Sequence, residues 1–125
     1  MENIEDKKSG FRVLNIMLAE SHFTRIGNVD FQDSKRMVSF ETGVGGRDNK
    51  INVRLKTTVV NMKDGSEQYR IEVSMIGVFE RNGNSQISTD EEFGRVNGAA
   101  IIFPFVREHI ANIALKAGLG SIILP

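Results

Sequence analysis

The stretch from Lys50 to Glu80 reads KINVRLKTTVVNMKDGSEQYRIEVSMIGVFE and decides the fold. From Lys50 to Val60 apolar and polar side chains alternate, which is typical of a strand with one buried and one wetted face. The turn Lys63-Asp64-Gly65-Ser66 follows, and its Asp-Gly pair supplies the positive φ that a tight hairpin needs. Alternation resumes from Gln68 to Glu80, so the stretch predicts a β-hairpin. The buried sides are predicted to carry Ile51, Val53, Leu55, Thr57 and Val59 in the first arm, and Tyr69, Ile71, Val73, Met75 and Phe79 in the second.

Two further strands are predicted before the hairpin. Arg36 to Thr42 is a shorter strand, and the glycines of Gly43–Gly46 after it predict a flexible loop. Phe11 to Thr24 is apolar on both sides of a strand pattern, which is typical of a strand covered on both faces, here by a second copy of the protein. One side would carry Phe11, Val13 and Met17, and the other Leu14, Ile16 and Leu18. A helix from Arg12 to Ala19, a stretch of good helix formers, is the alternative.

The last quarter of the chain predicts helix. Overlapping capping boxes in Ser88–Glu92 favour a short helical turn, which Asn97-Gly98 would break. The main helix is predicted from about Phe103 to Ala117, with Pro104 in its first turn and Gly118 as its stop. Its apolar stripe is made of Phe103, Val106, Ile110, Ile113 and Ala117. One face of this helix is predicted to pack on the sheet.

Length and composition indicate a single domain over residues 1–125, with residues 1–10 expected to be flexible. Sixteen Lys and Arg residues balance sixteen Asp and Glu residues, so no long-range field attracts nucleic acid or an anionic membrane. The chain has no cysteine, and it shows neither a signal peptide nor an apolar run of about 18 residues. We expect a cytoplasmic protein that binds no nucleic acid and does not insert into a membrane.

The sequence lacks the pattern of a catalytic or metal site. Its two histidines, His22 and His109, are far apart, and no metal-ligand or nucleophile motif surrounds them. Gly43–Gly46, followed by Arg47 and Lys50, would suit a phosphate cradle, but strand patterns on both sides favour a hairpin loop. We expect no enzyme, no cofactor and no metal.

Apolar side chains are unusually frequent for a small monomer. The chain has eight Phe and five Met residues but one Tyr and no Trp. Met adapts to irregular partners, and together with the two-sided strand at Phe11–Thr24 the set favours self-assembly around an exposed apolar groove. For any single Phe or Met, a place in the core is the simpler interpretation.

The stretch Ala100–Glu108 reads AIIFPFVRE and resembles the Leu-Phe-Pro-Tyr-Ala-Arg-Glu signature of the SecB family of protein-export chaperones. The resemblance covers about Phe11 to Pro125. Shorter matches to the family lie at Glu20–Phe23, at Glu72-Val73 with Gly77-Val78-Phe79, and at Ala117-Gly118 with Ile122–Pro125.

The resemblance implies an α+β fold: a four-stranded antiparallel sheet with one long C-terminal helix, and a short preceding helix, packed on one side. Members of the family assemble as a dimer of dimers, hold unfolded polypeptides in apolar grooves without ATP, and pass them to the SecA motor. By resemblance, this chain is expected to be a holdase, an ATP-independent chaperone, whose partners are unfolded clients, further copies of itself and SecA.

The holdase hypothesis leads to candidate site residues. Those expected to line the client groove are Phe23, Phe31, Phe40 and Phe79. Those expected to control assembly are Val73, Met75, Ile110 and Ile113. Glu20 and Glu72 match acidic positions at which the family docks SecA.

Two positions depart from the SecA-docking pattern. The family's second acidic position on the first strand falls on Thr24, and its apolar docking position falls on Arg70. A holdase in another pathway, such as one that guards an aggregation-prone antitoxin, therefore stays open. So does a different class of protein: an adaptor or oligomerisation module whose apolar faces serve one specific folded partner.

Overall fold

The alternating stretch folds into two long strands at the centre of a sheet. The computed structural model describes residues 10–81 and 90–124. The elements are β1 (Phe11–Arg25), β2 (Lys35–Arg47), β3 (Lys50–Lys63), β4 (Ser66–Arg81), α1 (Asp90–Glu92), a π-helical segment (Phe93–Gly98) and α2 (Ala99–Lys116). The strands form one antiparallel sheet in the order β1-β4-β3-β2. The helices lie on one face, called the inner face below, so the predicted α+β fold is confirmed. The expected flexibility of residues 1–10 falls, apart from Gly10, outside the described residues.

The β3–β4 hairpin turns at Asp64 and Gly65, whose φ angles are 51° and 78°. Lys63 pairs with Ser66 across this turn, as the Asp-Gly pair predicts. Inner-face side chains of both strands are buried, and those of the opposite, outer face are mostly half-buried or exposed. The buried apolar residues of the hairpin are Ile51, Val53, Leu55, Val59, Tyr69, Ile71, Val73, Met75 and Phe79.

β1 is a strand and not the alternative helix, but alternation alone assigns its two sides wrongly. Bulges fall between Val13 and Asn15 and between Leu18 and Glu20. Each bulge adds an unpaired residue, so the side chains after it change face relative to simple alternation. The cross-strand pairs place Val13, Ile16, Leu18, Ser21 and Phe23 on the inner face, and Asn15, Met17, Glu20 and His22 on the outer face.

The glycine stretch predicted as a loop belongs to β2. Gly43 pairs with Arg54 and Gly45 with Asn52, and the chain turns only at Asp48, whose φ is 60°. Hydrogen bonding to β3 keeps these glycines extended although glycine has a low preference for strands. The local sequence pattern cannot contain that contribution, because it comes from the neighbouring strand.

The helical region is continuous through Asn97-Gly98, where a break was predicted. A Cβ atom at Gly94 would lie 2.5 Å from Cγ2 of Val44, and one at Gly98 would lie 2.9 Å from Cγ2 of Val53. These two glycines therefore allow the helical region to pack closely on β2 and β3. Close packing, and not a chain break, is their role.

Pro104 lies inside α2 and not in the first turn of a later helix. A proline there removes a hydrogen bond to the carbonyl of Ala100, but both residues are exposed, so water can satisfy that carbonyl. The predicted stop is confirmed at Gly118, whose φ is 73°. The capping residues Ser88 and Thr89 lie outside the described residues.

Aromatic rings close the core where the helical region begins. The ring of Phe93 stacks on that of Phe11, with centroids 3.9 Å apart, and meets that of Phe79 edge-on at 5.0 Å. The chain after α2 returns to the same core with the buried side chains of Leu119, Ile122 and Leu124. The last quarter of the chain therefore covers the inner face.

Residues 26–34, called the crossover below, carry the chain from one edge of the sheet to the other. The Asp30 amide donates to Oε1 of Gln68 at 2.7 Å. The buried Gln68 side chain donates in turn to the Asp30 carbonyl at 3.0 Å and to Oδ1 of Asn61 at 2.6 Å. Lys63 donates to the Asp30 carboxylate and lowers its pKa. The middle of the crossover is thus anchored to the end of the hairpin.

By length and composition alone, the helical run Phe93–Lys116 would suffice to cross a membrane. In this fold its residues Ile102, Val106, Ile110 and Ala114 are buried. These four side chains form the apolar stripe by which the helix packs on the sheet.

Candidate functional site: two apolar furrows

α2 covers only the middle of the inner face. It packs on β4 and β3, the two central strands, and leaves the edge strands β1 and β2 uncovered on either side. Apolar inner-face side chains of the edge strands are therefore exposed, in one furrow on each side of α2. Contiguous exposed apolar surface of this kind is typical of an interaction site.

The β2 furrow consists of Val38, Phe40 and Phe103. Phe40 and Phe103 meet edge to face with ring centroids 5.7 Å apart, yet Phe40 is 50% exposed. The guanidinium of Arg107 lies 5.8 Å from the centroid of the Phe103 ring. The furrow therefore has an aromatic floor and a cationic rim.

Two polar contacts fix the direction of α2 relative to β1. Oγ of Ser21 lies 2.9 Å from Nε2 of His109, and the guanidinium of Arg25 donates to the carbonyl of Ala117. Residue numbers thus rise together along the strand and the helix. α2 runs parallel to β1.

The β1 furrow consists of Val13, Leu18 and Phe105, all exposed. Phe105 is one helical turn before His109 and faces the same side of α2. Leu18 precedes Ser21, the partner of His109, on the inner face of β1. Because strand and helix run parallel, Leu18 lies beside the turn that carries Phe105.

The structure separates the four residues predicted for the client groove. Phe40 lines the β2 furrow, and Phe31 is 55% exposed on the crossover. Phe23 is half-buried on the inner face of β1, with its ring centroid 6.5 Å from that of Tyr69. Phe79 is 0% exposed beneath Phe93, so its assignment to the groove is wrong: the start of the helical region covers it.

Several furrow residues escaped the sequence analysis. Phe103 and Phe105 stand in the AIIFPFVRE stretch, so their position beside the predicted groove had a sequence signal. Val13 and Leu18 were recognisable as apolar residues of a two-sided strand, but simple alternation puts them on opposite sides because it does not show the β1 bulges. Val38 alternates with Phe40 on β2 and was recognisable only as a strand residue.

The residues expected to control assembly lie inside the subunit. Val73 and Ile110 are 0% exposed and belong, with Met75, to the core between β4 and α2. They hold the helix on the sheet of the same chain, and their expected control of assembly through this packing stays a prediction. Ile113 is half-buried and packs against the same core.

Glu20 and Glu72 lie on the outer face, away from both furrows. The Glu20 carboxylate accepts a hydrogen bond from Arg54 at 2.7 Å, and His22 lies 3.5 Å from it. The Glu72 carboxylate lies 3.2 Å from the guanidinium of Arg70. Arginines of the same chain therefore neutralise both acids.

Arg70 also binds Glu67, and this hydrogen bond lowers the pKa of the Glu67 carboxyl. The hydrogen bonds from Arg70 to Glu67 and Glu72 raise the pKa of the arginine in turn. The three residues form one network on the outer face. The position that the resemblance aligns with an apolar SecA-docking residue thus carries Arg70, which is engaged by two carboxylates of the same chain.

Known proteins resemble this chain in sequence pattern and in fold. Residues 28–125 match the family described as preprotein translocase subunit SecB. The fold is similar to that of Rv1957, a SecB-like chaperone of Mycobacterium tuberculosis in complex with a ChAD peptide from the Rv1956 HigA1 antitoxin, with a TM-score of 0.78 at 11% identity over 92% of this chain and 89% of that chain. It is also similar to a protein of unknown function from Streptococcus agalactiae, with a TM-score of 0.54 at 15% identity over 92% of this chain and 96% of that chain. No curated protein sequence matches significantly.

The family match spans most of the chain and includes the AIIFPFVRE stretch, the hairpin and α2. The fold as a whole is similar to that of a SecB-like chaperone. Because the family match covers residues 28–125, this chain belongs to the SecB family.

Proposed function

We propose that this protein is an ATP-independent holdase that binds unfolded or non-native polypeptides in the furrows beside α2. The observation that carries the proposal is the exposure of Phe40 over Phe103, in a chain whose family consists of chaperones. Phe40 does not stand alone, because Val38 and Phe103 adjoin it, and a contiguous exposed apolar patch is typical of a binding surface.

Open furrows suit clients that share no sequence. Burying one client Leu or Phe side chain contributes about 1.5–3 kcal/mol, and several such contacts along an extended segment add up. No shape match is needed, because the furrows offer area on both sides of α2. Release requires only dissociation, so the proposal includes no nucleotide.

The proposal includes assembly as a dimer of dimers in the cytoplasm. Leu115 is 62% exposed on α2, on the side of the helix opposite the buried Val106. A second subunit that covers this side of α2 would remove that exposed apolar area from water. Assembly would also bring several furrows within reach of one client.

Protein export, with SecA as the receiving partner, is the pathway that family membership favours. Against it stand the ion pairs of Glu20 with Arg54 and of Glu72 with Arg70, which a contact to SecA would have to displace. The Mycobacterium tuberculosis chaperone is bound to a peptide from an antitoxin. That complex supports the second candidate function, an adaptor whose furrows serve one specific partner protein.

Suppression of aggregation tests the holdase. Unfolded clients of unrelated sequence are diluted from denaturant with and without the protein, and light scattering is followed with and without ATP. We expect suppression for all clients at subunit-to-client ratios near one, independent of ATP. Suppression of a single client, with no effect on the others, would favour the adaptor.

A further inference from the structure

Neither close packing nor backbone conformation requires glycine at two positions of β2. Gly43 and Gly45 pair with Arg54 and Asn52, and therefore lie on the outer face. Neither has a positive φ. A Cβ atom at Gly45 would meet nothing within 4 Å, and one at Gly43 would meet only Cβ of Arg54, at 3.9 Å.

Other glycines of the fold show what a packing requirement looks like. A Cβ atom at Gly77 would lie 2.7 Å from the ring of Phe79, and one at Gly94 would lie 2.5 Å from Val44. At Gly43 and Gly45 no neighbouring atom would obstruct a side chain. A residue that favours strands would therefore fit at either position, whereas glycine weakens the strand. Glycine in a strand interior often marks the place where a ligand or another backbone approaches closely.

A row of cations runs beside these glycines. Lys50, Arg54 and Lys56 lie on the outer face of β3, with Asn52 between the first two, and the row extends over about 20 Å at the rise of a strand. Arg47 lies directly across from Lys50. Within residues 10–81 and 90–124, Arg47, Lys50 and Lys56 make no ion pair, whereas Glu20 engages Arg54.

Acidic groups do not balance this row. Glu41 lies across from Lys56, Glu80 lies across from Lys50, and Asp48 lies in the turn between Arg47 and Lys50. Arg12 binds Glu80 and Arg54 binds Glu20, so these two acids are already neutralised. The five cations Arg12, Arg47, Lys50, Arg54 and Lys56 exceed the four acids by one, and two of the cations flank the turn itself. The surface beside Gly43 and Gly45 therefore carries excess positive charge.

We propose that an extended, acidic segment of a partner polypeptide binds on the outer face along β2, with its backbone over Gly43 and Gly45. Its carboxylates would pair with Arg47, Lys50 and Lys56. The missing side chains provide the room, and the row of cations provides charge complementarity. This site lies on the opposite face of the sheet from the furrows and does not depend on the holdase function.

Nucleic acid is the less suitable polyanion. Single-stranded nucleic acid is bound through aromatic side chains on which bases stack. No Phe, Tyr or Trp side chain faces outward from the four strands as described: Phe23, Phe40 and Tyr69 all lie on the inner face. The features of the site therefore favour a polypeptide.

Fluorescence anisotropy with three labelled probes tests the proposal. They are a peptide of alternating Glu and Ser, a peptide of alternating Lys and Ser, and a single-stranded oligothymidylate. We expect the acidic peptide to bind more tightly than the other two, with an affinity that falls as salt rises. Equal binding of the basic peptide, or tighter binding of the oligonucleotide, would overturn the proposal.

The variant Gly43→Thr/Gly45→Thr separates the site from the fold. Threonine prefers strands, so the melting temperature should not fall, while affinity for the acidic peptide should drop about tenfold or more. Lys50→Gln/Lys56→Gln should also weaken binding, and Lys35→Gln, at the far end of the outer face of β2, should not. Unchanged binding by the threonine variant would refute the site. The threonine variant should suppress aggregation as well as wild type does. Failure of the holdase proposal would therefore appear in the aggregation assay, and failure of the acidic-segment proposal in the peptide-binding assay.

Discussion

Phe40 on β2 and Phe103 on α2 meet edge to face with ring centroids 5.7 Å apart, and half of Phe40 remains in contact with solvent. The contact holds the Phe40 ring in place from one side and leaves the other side open. An exposed aromatic ring that is already positioned loses little further freedom when a client side chain packs on it. The β2 furrow is thus prepared for binding.

Replacing Phe40 should impair binding much more than folding. Because Phe40 is half exposed, Phe40→Ala should cost about 1 kcal/mol of unfolding free energy. It should nevertheless raise the amount of protein needed to suppress client aggregation. Phe79→Ala is the matched control: the ring is fully buried, and its loss should cost about 3–5 kcal/mol. If chemical denaturation shows that the two variants lose equal amounts of unfolding free energy, the assignment of Phe40 to an open furrow is wrong.

Packing of the π-helical segment on β2 should depend on Gly94. Gly94→Ala places a methyl group 2.5 Å from Val44 and should cost about 1–3 kcal/mol of unfolding free energy. Gly45→Ala, on the same strand as Val44 but with nothing within 4 Å, should leave stability unchanged or slightly higher. Urea denaturation of the two variants measures the difference. A tolerated Gly94→Ala would mean that the helical region does not lie so close to the sheet.

The ion pair at the crossover predicts a pH dependence. The hydrogen bond from Lys63 lowers the pKa of Asp30 below its ordinary value of 3.8. The stabilisation is therefore fully present above the pKa of the unfolded state and is lost as the pH falls through the lower pKa of the folded state. Asp30→Asn should be less stable than wild type at neutral pH, and the difference should vanish in acid. Asp33→Asn, in the same crossover, is the control. If the difference in unfolding free energy between Asp30→Asn and wild type persists in acid, this ion pair is not its cause.

Assembly should depend on the solvent-facing side of α2. Leu115→Lys places a charge where Leu115 is 62% exposed in the subunit, so the fold should be unaffected. If a second subunit covers this side, buried charge should lower the molar mass in light scattering from tetramer to a smaller species. Lys116→Leu, at the neighbouring exposed position, adds apolar area in place of charge and serves as the control. An unchanged mass for Leu115→Lys would place the contact between subunits elsewhere.

The sequence predicts most of the fold because its central hairpin is locally consistent. Alternation from Lys50 to Val60 and the Asp64-Gly65 turn agree on one structure, and long-range packing only reinforces it. The sides of β1 were not predictable, since each bulge is a property of the pairing with β4 and leaves no mark in the alternation. Gly43 and Gly45 were misread for the same reason: their extended conformation comes from β3.

The candidate site was predictable only in part. Phe40 and Phe79 both alternate correctly on a strand, and nothing local distinguishes them. Their different exposure, 50% and 0%, follows from how far the helices extend across the inner face. Likewise, Val73 and Ile110 are apolar in any interpretation, and only the position of α2 shows that they meet within one subunit.

Site-specific photocrosslinking tests the location of client binding most directly. A photoreactive residue is placed singly at Phe40 or Leu18, which face the furrows, and at Ser39 or Met17, which adjoin them in sequence but face outward. After irradiation with an unfolded client, we predict adducts from positions 40 and 18 and background levels from 39 and 17. Adducts mainly from the outward-facing positions would contradict the proposal that clients lie beside α2.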